Sequence, residues 1–163
     1  MTMETDISIL HPQDLDHFYP VFTGVLRSEF PCYDDNALNA LLNGIYTRNN
    51  FEFWLREKTK IVLTAREKNN MTVVGFALID EPYGGVSLCR WLGVVKSHQR
   101  KGIGSRLILR WEEEAVKGNC HKMELAAQPD AKDFYMKAGL TCEGFRKRSY
   151  FGADQYVFGK LLA

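Results

Sequence analysis

The chain has 163 residues, 45% of them hydrophobic, and a formal net charge of +1. This length and apolar content suffice for one hydrophobic core, so we expect a single domain over residues 1–163. The near-neutral charge provides no overall field that would attract nucleic acid or an anionic membrane. No apolar run reaches the roughly 18 residues that a membrane span needs, and the four cysteines lack the spacing of metal ligands. We therefore expect a soluble cytoplasmic protein with reduced cysteines and no metal site.

The first third of the chain predicts one short strand and two helices. Residues 7–10 form a strand-length segment, and apolar residues at helical spacing follow from residue 15 to residue 26. Residues 30–33 break this helix. A second helix begins near residues 34–36 and falters around Asn49 and Asn50, and residues 51–57 fit either a helical turn or a loop.

Strand-like segments dominate from residue 60 onward. Residues 61–66 and 71–80 predict a hairpin, and residues 86–95 predict the next strand. A helix over residues 103–117, a strand over 121–127 and a helix over 130–138 with Asp130 as its N-cap come next. Two strands, 142–151 and 155–162, complete the order β-α-α-β-β-β-α-β-α-β-β. This order predicts a three-layer α/β fold around a mixed, strongly twisted sheet.

The most informative segment is the basic turn between the strand at 86–95 and the helix at 103–117. Gly102 and Gly104 open that helix, and five cations with no acid among them occur between residues 96 and 110. Backbone amides at a helix N-terminus, together with the positive end of the helix dipole, attract a phosphate or pyrophosphate. A glycine turn with a solvated basic face is the alternative interpretation.

Known glycine motifs narrow the choice of anion. The nucleoside-triphosphate loop is excluded because no glycine precedes Lys-Ser or Lys-Thr, and Leu107 replaces the third glycine of the dinucleotide fingerprint. The pattern Q/R-x-x-G-x-G/A fits from Gln99 to Gly104. This hexapeptide resembles the pyrophosphate-binding motif of the GNAT superfamily of acyl-CoA-dependent N-acyltransferases.

A second segment is similar to a later motif of the same superfamily, N-x-x-A-x-x-F/L-Y-x-K-x-G-F. It runs from residue 128 to residue 140, with Gln128 in place of Asn and Leu140 in place of Phe. The two motifs cover roughly residues 86–140, in the superfamily's order. The resemblance implies a three-layer α-β-α domain with a mostly antiparallel sheet of six to seven strands, and acetyl-CoA as the acyl donor.

The resemblance also implies which residues contact the donor. Backbone groups of Leu92, Val94 and Lys96 would pair with the acyl carbonyl and the pantetheine arm, where two parallel strands separate at a bulge. We expect that bulge at Gly93, where it costs little. Backbone amides of residues 100–105 would bind the pyrophosphate. The other donor-contacting residues would be Val95, Gln99, Arg100, Lys101, Gly102, Ile103, Gly104, Ser105, Gln128 and Phe134. Arg100, Lys101 or Arg106 would reach the ribose phosphate.

Tyr135 is the predicted catalytic residue, because the matching tyrosine of the motif lies near the thioester sulfur. A phenol with a pKa of about 10 stays protonated at neutral pH and can donate its proton to a departing thiolate. Simple packing beside Phe134 is the alternative. Cys89 has no base at a recognisable spacing, so we do not expect it to act as a nucleophile.

The general base is less apparent from the sequence. Some members of the superfamily carry a glutamate on the strand before the cradle, and here that position holds Arg90, which cannot accept a proton. The remaining candidates are a water chain and four carboxylates: Asp80, Glu81, Glu124 and Glu143. Arg90 either binds a carboxylate of the substrate or pairs with a nearby acid.

The acceptor pocket is expected at the break between the first two helices and at the final hairpin. Its predicted residues are Phe30, Tyr33, Arg90 and Tyr150, with Phe151, Tyr156 and the acids Asp34, Asp35 and Asp154 nearby. Acids beside aromatic rings suit a cationic amine. Surface or helix-start roles are expected for all four histidines.

The leading hypothesis is an N-acetyltransferase whose acceptor, a small amine or a peptide, attacks acetyl-CoA directly in a ternary complex. A non-catalytic CoA-binding regulatory module with the same fold is the alternative, and the lack of a glutamate at position 90 motivates it. A nucleic-acid patch over residues 96–110 is disfavoured by the near-neutral charge and the adjacent acids at 112–114. An exposed last strand would allow a homodimer.

Overall fold

The computed structural model describes residues 4–163, so residues 1–3 of the predicted domain lie outside the described residues. Its strands are β1 Thr5–Ile9, β2 Lys60–Glu67, β3 Val73–Asp80, β4 Val86–Val94, β5 Lys122–Ala127, β6 Thr141–Arg146 and β7 Gln155–Leu161. Its helices are α1 Leu15–Glu29, α2 Asp35–Ala40, α3 Arg48–Glu57, α4 Ile103–Lys117 and α5 Lys132–Lys137, and a π-helical turn, Leu41–Ile45, continues α2.

The seven strands form one mixed sheet in the order β1-β2-β3-β4-β5-β7-β6. Only β4 and β5 run parallel, and every other neighbouring pair is antiparallel. Helices α1 to α3 bury Phe18, Phe22 and Phe51 against one face of the sheet. Helix α4 buries Leu107 and Trp111 against the other face, beside α5. The three-layer fold and the mostly antiparallel sheet expected from the sequence are confirmed.

The parallel strands β4 and β5 separate partway along their length. They pair only from Val86 with Lys122 to Cys89 with Leu125, although β4 continues to Val94 and β5 to Ala127. The backbone edge of β4 beyond residue 89 therefore has no strand partner on that side. This separation opens a cleft at the centre of the sheet.

A bulge at Arg90 marks the point of separation. Opposite it on β3, Ile79 pairs with Cys89 and Leu78 pairs with Trp91, so Arg90 is an extra residue. The extra residue reverses the alternation of side chains, because Cys89 packs on the α4 face whereas Trp91 packs on the α1–α3 face. The change of face brings a tryptophan and an arginine to the same side of the cleft as α1.

The bulge expected at Gly93 is therefore wrong. Gly93 pairs in register with Phe76. A Cβ at Gly93 would lie 2.7 Å from Cγ1 of Val25 and 2.9 Å from Cζ of Phe76. The glycine permits α1 to approach the sheet closely, and this long-range requirement leaves no trace in the local sequence.

Of the two structures that the sequence allowed for residues 51–57, the helical one is present, as part of helix α3, and the expected weakening at Asn49 and Asn50 is instead the first turn of that helix. The Thr47 side chain caps this helix by accepting a hydrogen bond from the Asn50 amide at 3.1 Å. Phe51 and Leu55 form its buried stripe. A threonine cap followed by apolar residues four apart was the signal that would have revealed it.

Three smaller expectations also differ from the structure. Asp130 does not cap α5, because a 3₁₀ turn, Pro129–Ala131, precedes that helix and Ala131 occupies the N-cap position. Strand β6 ends at Arg146, since the chain turns through positive φ angles at Arg148 and Phe151. The last strand, β7, lies between β5 and β6, so it is not an edge strand, and the two edges of the sheet are β1 and β6.

The four cysteines, all within the described residues, form no disulfide. No helix in residues 4–163 has the length and apolar character to cross a membrane.

Candidate active site

A cavity of about 980 Å³ occupies the cleft where β4 and β5 separate. Its walls come from both strands, from the turn before α4, and from α5. The break between α1 and α2 and the loop between β6 and β7 close its far end. The fold thus brings the predicted anion cradle and the predicted acceptor residues into one cavity, although they are distant in sequence.

The turn before α4 presents a row of unpaired backbone amides to this cavity. Arg100 and Gly102 adopt positive φ angles of 59° and 83°, and Gly102 stands at the N-cap position without a side-chain cap. The amides of residues 100–105 donate to no acceptor among the described residues, and the first helical bond runs from the Arg106 amide to the Gly102 carbonyl. Free amides backed by the positive end of a 15-residue helix are suited to the binding of an anion.

Two side chains of this turn brace it. Gln99 donates from Nε2 to the Val94 carbonyl at 3.0 Å and to Oε1 of Glu29 at 2.6 Å. His98 Nε2 lies 2.6 Å from Oε1 of Glu67, and the two side chains are only 12% and 8% exposed. The surface or helix-start role expected for His98 is therefore wrong, because its partner is contributed by β2, more than 30 positions earlier.

The basic residues of the segment divide into two groups. Arg106 donates to Oγ1 and the carbonyl of Thr5 at 2.6 and 2.8 Å, and Arg110 reaches the Ile7 carbonyl at 3.3 Å. These two guanidinium groups attach α4 to β1, so the expectation that Arg106 reaches a ribose phosphate is not supported. Arg100 lines the cavity, whereas Val95, Lys96 and Lys101 do not.

The other predicted donor-contacting residues all line the cavity; they are Leu92, Val94, Gln99, Gly102, Ile103, Gly104, Ser105, Gln128 and Phe134. Gln128 donates to the Glu29 carbonyl at 2.9 Å, and its buried Oε1 has no partner, which leaves an acceptor available to a ligand. A Cβ at Gly104 would lie 2.8 Å from Cζ of Phe134. This glycine lets α5 pack against the start of α4.

Tyr135 lines the same cavity from α5. It is 6% exposed, and its ring packs against Phe134 and Phe158 with centroids 5.0 and 5.5 Å apart. Its hydroxyl forms no hydrogen bond with another described residue. Burial, with a smaller contribution from nearby Cys89, raises the pKa of the Tyr135 phenol well above its ordinary value. The phenol is therefore a neutral proton donor across the physiological range.

The four candidate carboxylates differ in their positions. Asp80 accepts from Lys60 and from Arg90, each at 2.6 Å, and Glu143 accepts from Lys122 at 2.8 Å. Of the four, only Glu124 lines the cavity, where it lies 3.2 Å from Lys122. Glu124 is thus the one expected base that faces the space in which a substrate would lie.

Cys89 is buried behind the bulge. Its thiol donates to the Trp91 carbonyl at 3.5 Å. Burial, reinforced by the charge of Asp80, raises the pKa of this thiol well above its usual value. A thiol that resists ionisation is a poor nucleophile.

Phe30, Tyr33, Arg90 and Tyr150, the predicted acceptor residues, all line the far end of the cavity. The Trp91 ring joins them, with its centroid 5.1 Å from that of Phe30 and 5.7 Å from that of Tyr33. Trp91 was not among the predicted acceptor residues, because without the bulge this residue would share the face of Cys89.

The acids expected in this pocket lie elsewhere. Asp34 caps α2 by accepting from the Ala37 amide at 2.8 Å, Asp35 follows it in that helix, and Asp154 accepts from the Arg148 amide at 2.8 Å. None of the three lines the cavity, and neither do Phe151 and Tyr156. The predicted pairing of aromatic rings with these acids is therefore wrong.

Comparison with known proteins agrees with this arrangement. The chain matches the model of the acetyltransferase (GNAT) family over residues 25–140. Among solved structures, PaiA N-acetyltransferase from Thermoplasma acidophilum in complex with coenzyme A is similar, with a TM-score of 0.81 and 17% identity over 98% of this chain and 100% of that one. A GNAT-family acetyltransferase from Streptococcus pneumoniae has a TM-score of 0.77 and 23% identity, with the same coverage.

Ard1 from Thermoplasma volcanium also shares the fold, with a TM-score of 0.72 and 17% identity over 98% of both chains. Among curated proteins, none matches this chain. The family match covers most of the chain, and the protein belongs to the GNAT family of acetyltransferases. Acyl transfer dependent on acetyl-CoA is the activity that this family carries out.

Proposed function

We propose that this protein is an N-acetyltransferase that transfers the acetyl group of acetyl-CoA to a primary amine by direct attack within a ternary complex. One observation carries the proposal. Free backbone amides at residue 100 and residues 102–105 and the neutral phenol of Tyr135 belong to residues that line the same cavity. Anion binding and proton donation are thereby combined in one site.

The residues of the cleft fit the donor. The amides of 100–105 suit its pyrophosphate. The edge of β4 without a strand partner offers the backbone groups of Leu92 and the amide of Val94 to the pantetheine arm, since the Val94 carbonyl already accepts from Gln99. The buried, unpartnered Oε1 of Gln128 is an acceptor for an amide N–H in that arm. The coenzyme A complex of PaiA N-acetyltransferase, a protein of the same fold, supports this assignment.

The reaction forms a C–N bond and breaks the C–S bond of the thioester. Tyr135 donates its proton to the departing thiolate, and burial of the phenol keeps that proton available. Glu124 accepts the proton that the substrate ammonium must lose, directly or through one water. Arg90 cannot take this role, because it remains protonated and pairs with Asp80.

A thiol-release assay with acetyl-CoA and a panel of primary amines tests the proposal. Replacing Tyr135 with Phe removes only the hydroxyl, so we expect kcat to fall about 100-fold or more while the affinity for coenzyme A, measured by calorimetry, is unchanged. Tyr83→Phe is the matched control, because Tyr83 is 89% exposed in the turn before β4.

Two results would contradict the proposal in different ways. Tight coenzyme A binding without acetylation of any amine would indicate a regulatory module rather than an enzyme. Absence of coenzyme A binding would refute the assignment of the cleft itself.

A further inference from the structure

Of the charged residues expected at the acceptor end of the cavity, the cation Arg90 lines it, whereas the acids Asp34, Asp35 and Asp154 do not. Arg90 projects from the bulge and lines the cavity, with its side chain 44% exposed. Its Nε donates to Oδ2 of Asp80 at 2.6 Å, and Lys60 donates to the other oxygen of the same carboxylate at 2.6 Å. Two cations share one carboxylate, so this group carries one net positive charge at the wall of the cavity.

The guanidinium of Arg90 retains free donors. Asp80 is bound through Nε, and the two terminal nitrogens of Arg90 donate to no described residue. A planar pair of N–H groups matches the two oxygens of a carboxylate in a bidentate arrangement. The bond to Asp80, whose side chain is 16% exposed, holds the guanidinium in position before any ligand binds.

Two of the three acids that line the cavity, Glu29 and Glu124, are already engaged. Glu29 accepts from Gln99 at the cradle, and Glu124 pairs with Lys122. Asp130 is exposed in the turn before α5, and its charge contributes to the raised pKa of Cys32, after the larger effect of burial, but not to that of Arg90. A polycationic amine would therefore meet a guanidinium at the acceptor end, which is unfavourable.

Aromatic rings complete the surroundings of Arg90. The Tyr33 ring lies between Trp91 and Tyr150, with centroid distances of 5.7 and 6.4 Å. The Tyr46 ring also packs against Trp91, with the centroids 5.7 Å apart. The walls suit an apolar body, and the polar groups suit an anion beside it.

The distance along the chain between Arg90 and the reaction centre is short. Cys89, the preceding residue, lies in the same buried cluster as Tyr135, and Arg90 and Tyr135 line the same cavity. An amine beside the phenol and an anionic group on Arg90 can therefore belong to one small molecule. A peptide N-terminus lacks a carboxylate next to its amine.

We propose, on the basis of the function proposed above, that the acceptor is a small amino acid with an apolar side chain, and that Arg90 binds its carboxylate. The carboxylate accepts the two free guanidinium N–H groups, the aromatic walls contact the side chain, and the amine faces the thioester and Glu124. Arg90 is then a specificity-determining residue.

The test compares amines that differ only in the charge next to the amino group. L-phenylalanine, L-phenylalaninamide and phenethylamine are offered with acetyl-CoA, and spermidine is included as a polycation. We expect kcat/KM for the amino acid to exceed that for the amide and the amine by about 10- to 100-fold, the factor of one charged bidentate contact. Arg90→Gln should abolish this preference, and Arg90→Lys should retain part of it.

Arg56→Gln is the control variant, because Arg56 lies on α3, outside the cavity, in an exposed pair with Glu57. Calorimetry with coenzyme A and thermal unfolding show whether each Arg90 variant remains folded. Equal or better acetylation of the amide, the amine or spermidine would overturn the carboxylate site and leave the N-acetyltransferase intact. Failure to acetylate any amine would overturn both.

Discussion

The two ends of the cavity differ in the groups that they offer to a ligand. The cradle end uses backbone amides of residues 100–105 and one unpartnered amide oxygen on Gln128. The acceptor end uses side chains, including Arg90, Tyr33 and Trp91, that come from separate elements. Backbone groups are the same whatever the side chains are, so the cradle end suits a ligand that a whole family shares. The acceptor end is where one member of the family can differ from another.

The variant Glu124→Gln is expected to show the largest difference between the two ends of the cavity. This change keeps the shape of the side chain but removes the proton acceptor, so we expect kcat to fall about 100-fold while the affinity for coenzyme A stays constant. Steady-state kinetics and calorimetry measure the two quantities. Glu143→Gln, which alters the other carboxylate bound to Lys122, is the matched control.

A change at the cradle should instead lower the affinity for coenzyme A. Gly102 has a φ of 83° with open space around it, so Gly102→Val strains the backbone without a clash. Displacement of the adjacent amides should weaken coenzyme A binding by about tenfold or more. Gly84→Val is the control, because Gly84 has a φ of 61° in open space outside the cavity.

Both glycine variants should lose a similar amount of stability, about 1–2 kcal/mol, as measured by denaturant unfolding. Only Gly102→Val should lose coenzyme A affinity. Equal losses of affinity in the two variants would show that general destabilisation, rather than the cradle, causes the effect.

Disrupting the pair formed by His98 and Glu67 should affect the cradle less than Gly102→Val does. His98→Ala leaves a buried carboxylate without its partner, so we expect a lower free energy of unfolding and a KM for acetyl-CoA about three to ten times higher. The value of kcat should not change, because neither residue reaches the reaction centre. His98→Gln, which restores a donor to Glu67, should recover most of the loss, and exposed His17→Ala should have no effect.

Cys32 lines the acceptor end, and the effect expected there concerns the chemical reactivity of its thiol rather than catalysis. Burial is the main cause that raises the pKa of this thiol from 9.0 to about 11. Because only the thiolate reacts, alkylation by iodoacetamide at pH 8 should be about a hundredfold slower than for a thiol with pKa 9.0. The rate should increase with pH until about pH 11, and Cys32→Ser identifies the labelled residue by mass spectrometry. A rate that levels off near pH 9 would contradict this assignment.

The parts of the site that were predicted from the sequence share one property: the residues that determine them are contiguous in the chain. The helix over residues 103–117 coincides with α4, and Gly102 and Gly104 stand at its start. Strand, turn and helix follow one another within about 30 residues, so the geometry of the cradle is contained in one segment. The same holds for the segment that carries Gln128 and Tyr135.

The predictions that were wrong depend instead on contacts between residues that are distant in sequence. The bulge at Arg90 depends on the pairing of β4 with β3, and the close approach at Gly93 depends on Val25 of α1. The partner of His98 lies on β2, and Arg106 is engaged by β1. None of these contacts produces a periodic pattern or a motif near the residue concerned.

The amino-acid sequence by itself determined the family, the fold class and the segment that forms the anion cradle, because glycines and helix caps act on the residues beside them. The charge of the acceptor end was decided only by the tertiary structure. One extra residue in β4 changes the face on which Trp91 lies. Two of the predicted acids, Asp34 and Asp154, accept hydrogen bonds from backbone amides at a helix start and in a turn, respectively. Strand pairing and helix packing across the whole chain decide which side chains share a cavity. The local spacing of residues in the sequence does not reveal these long-range contacts.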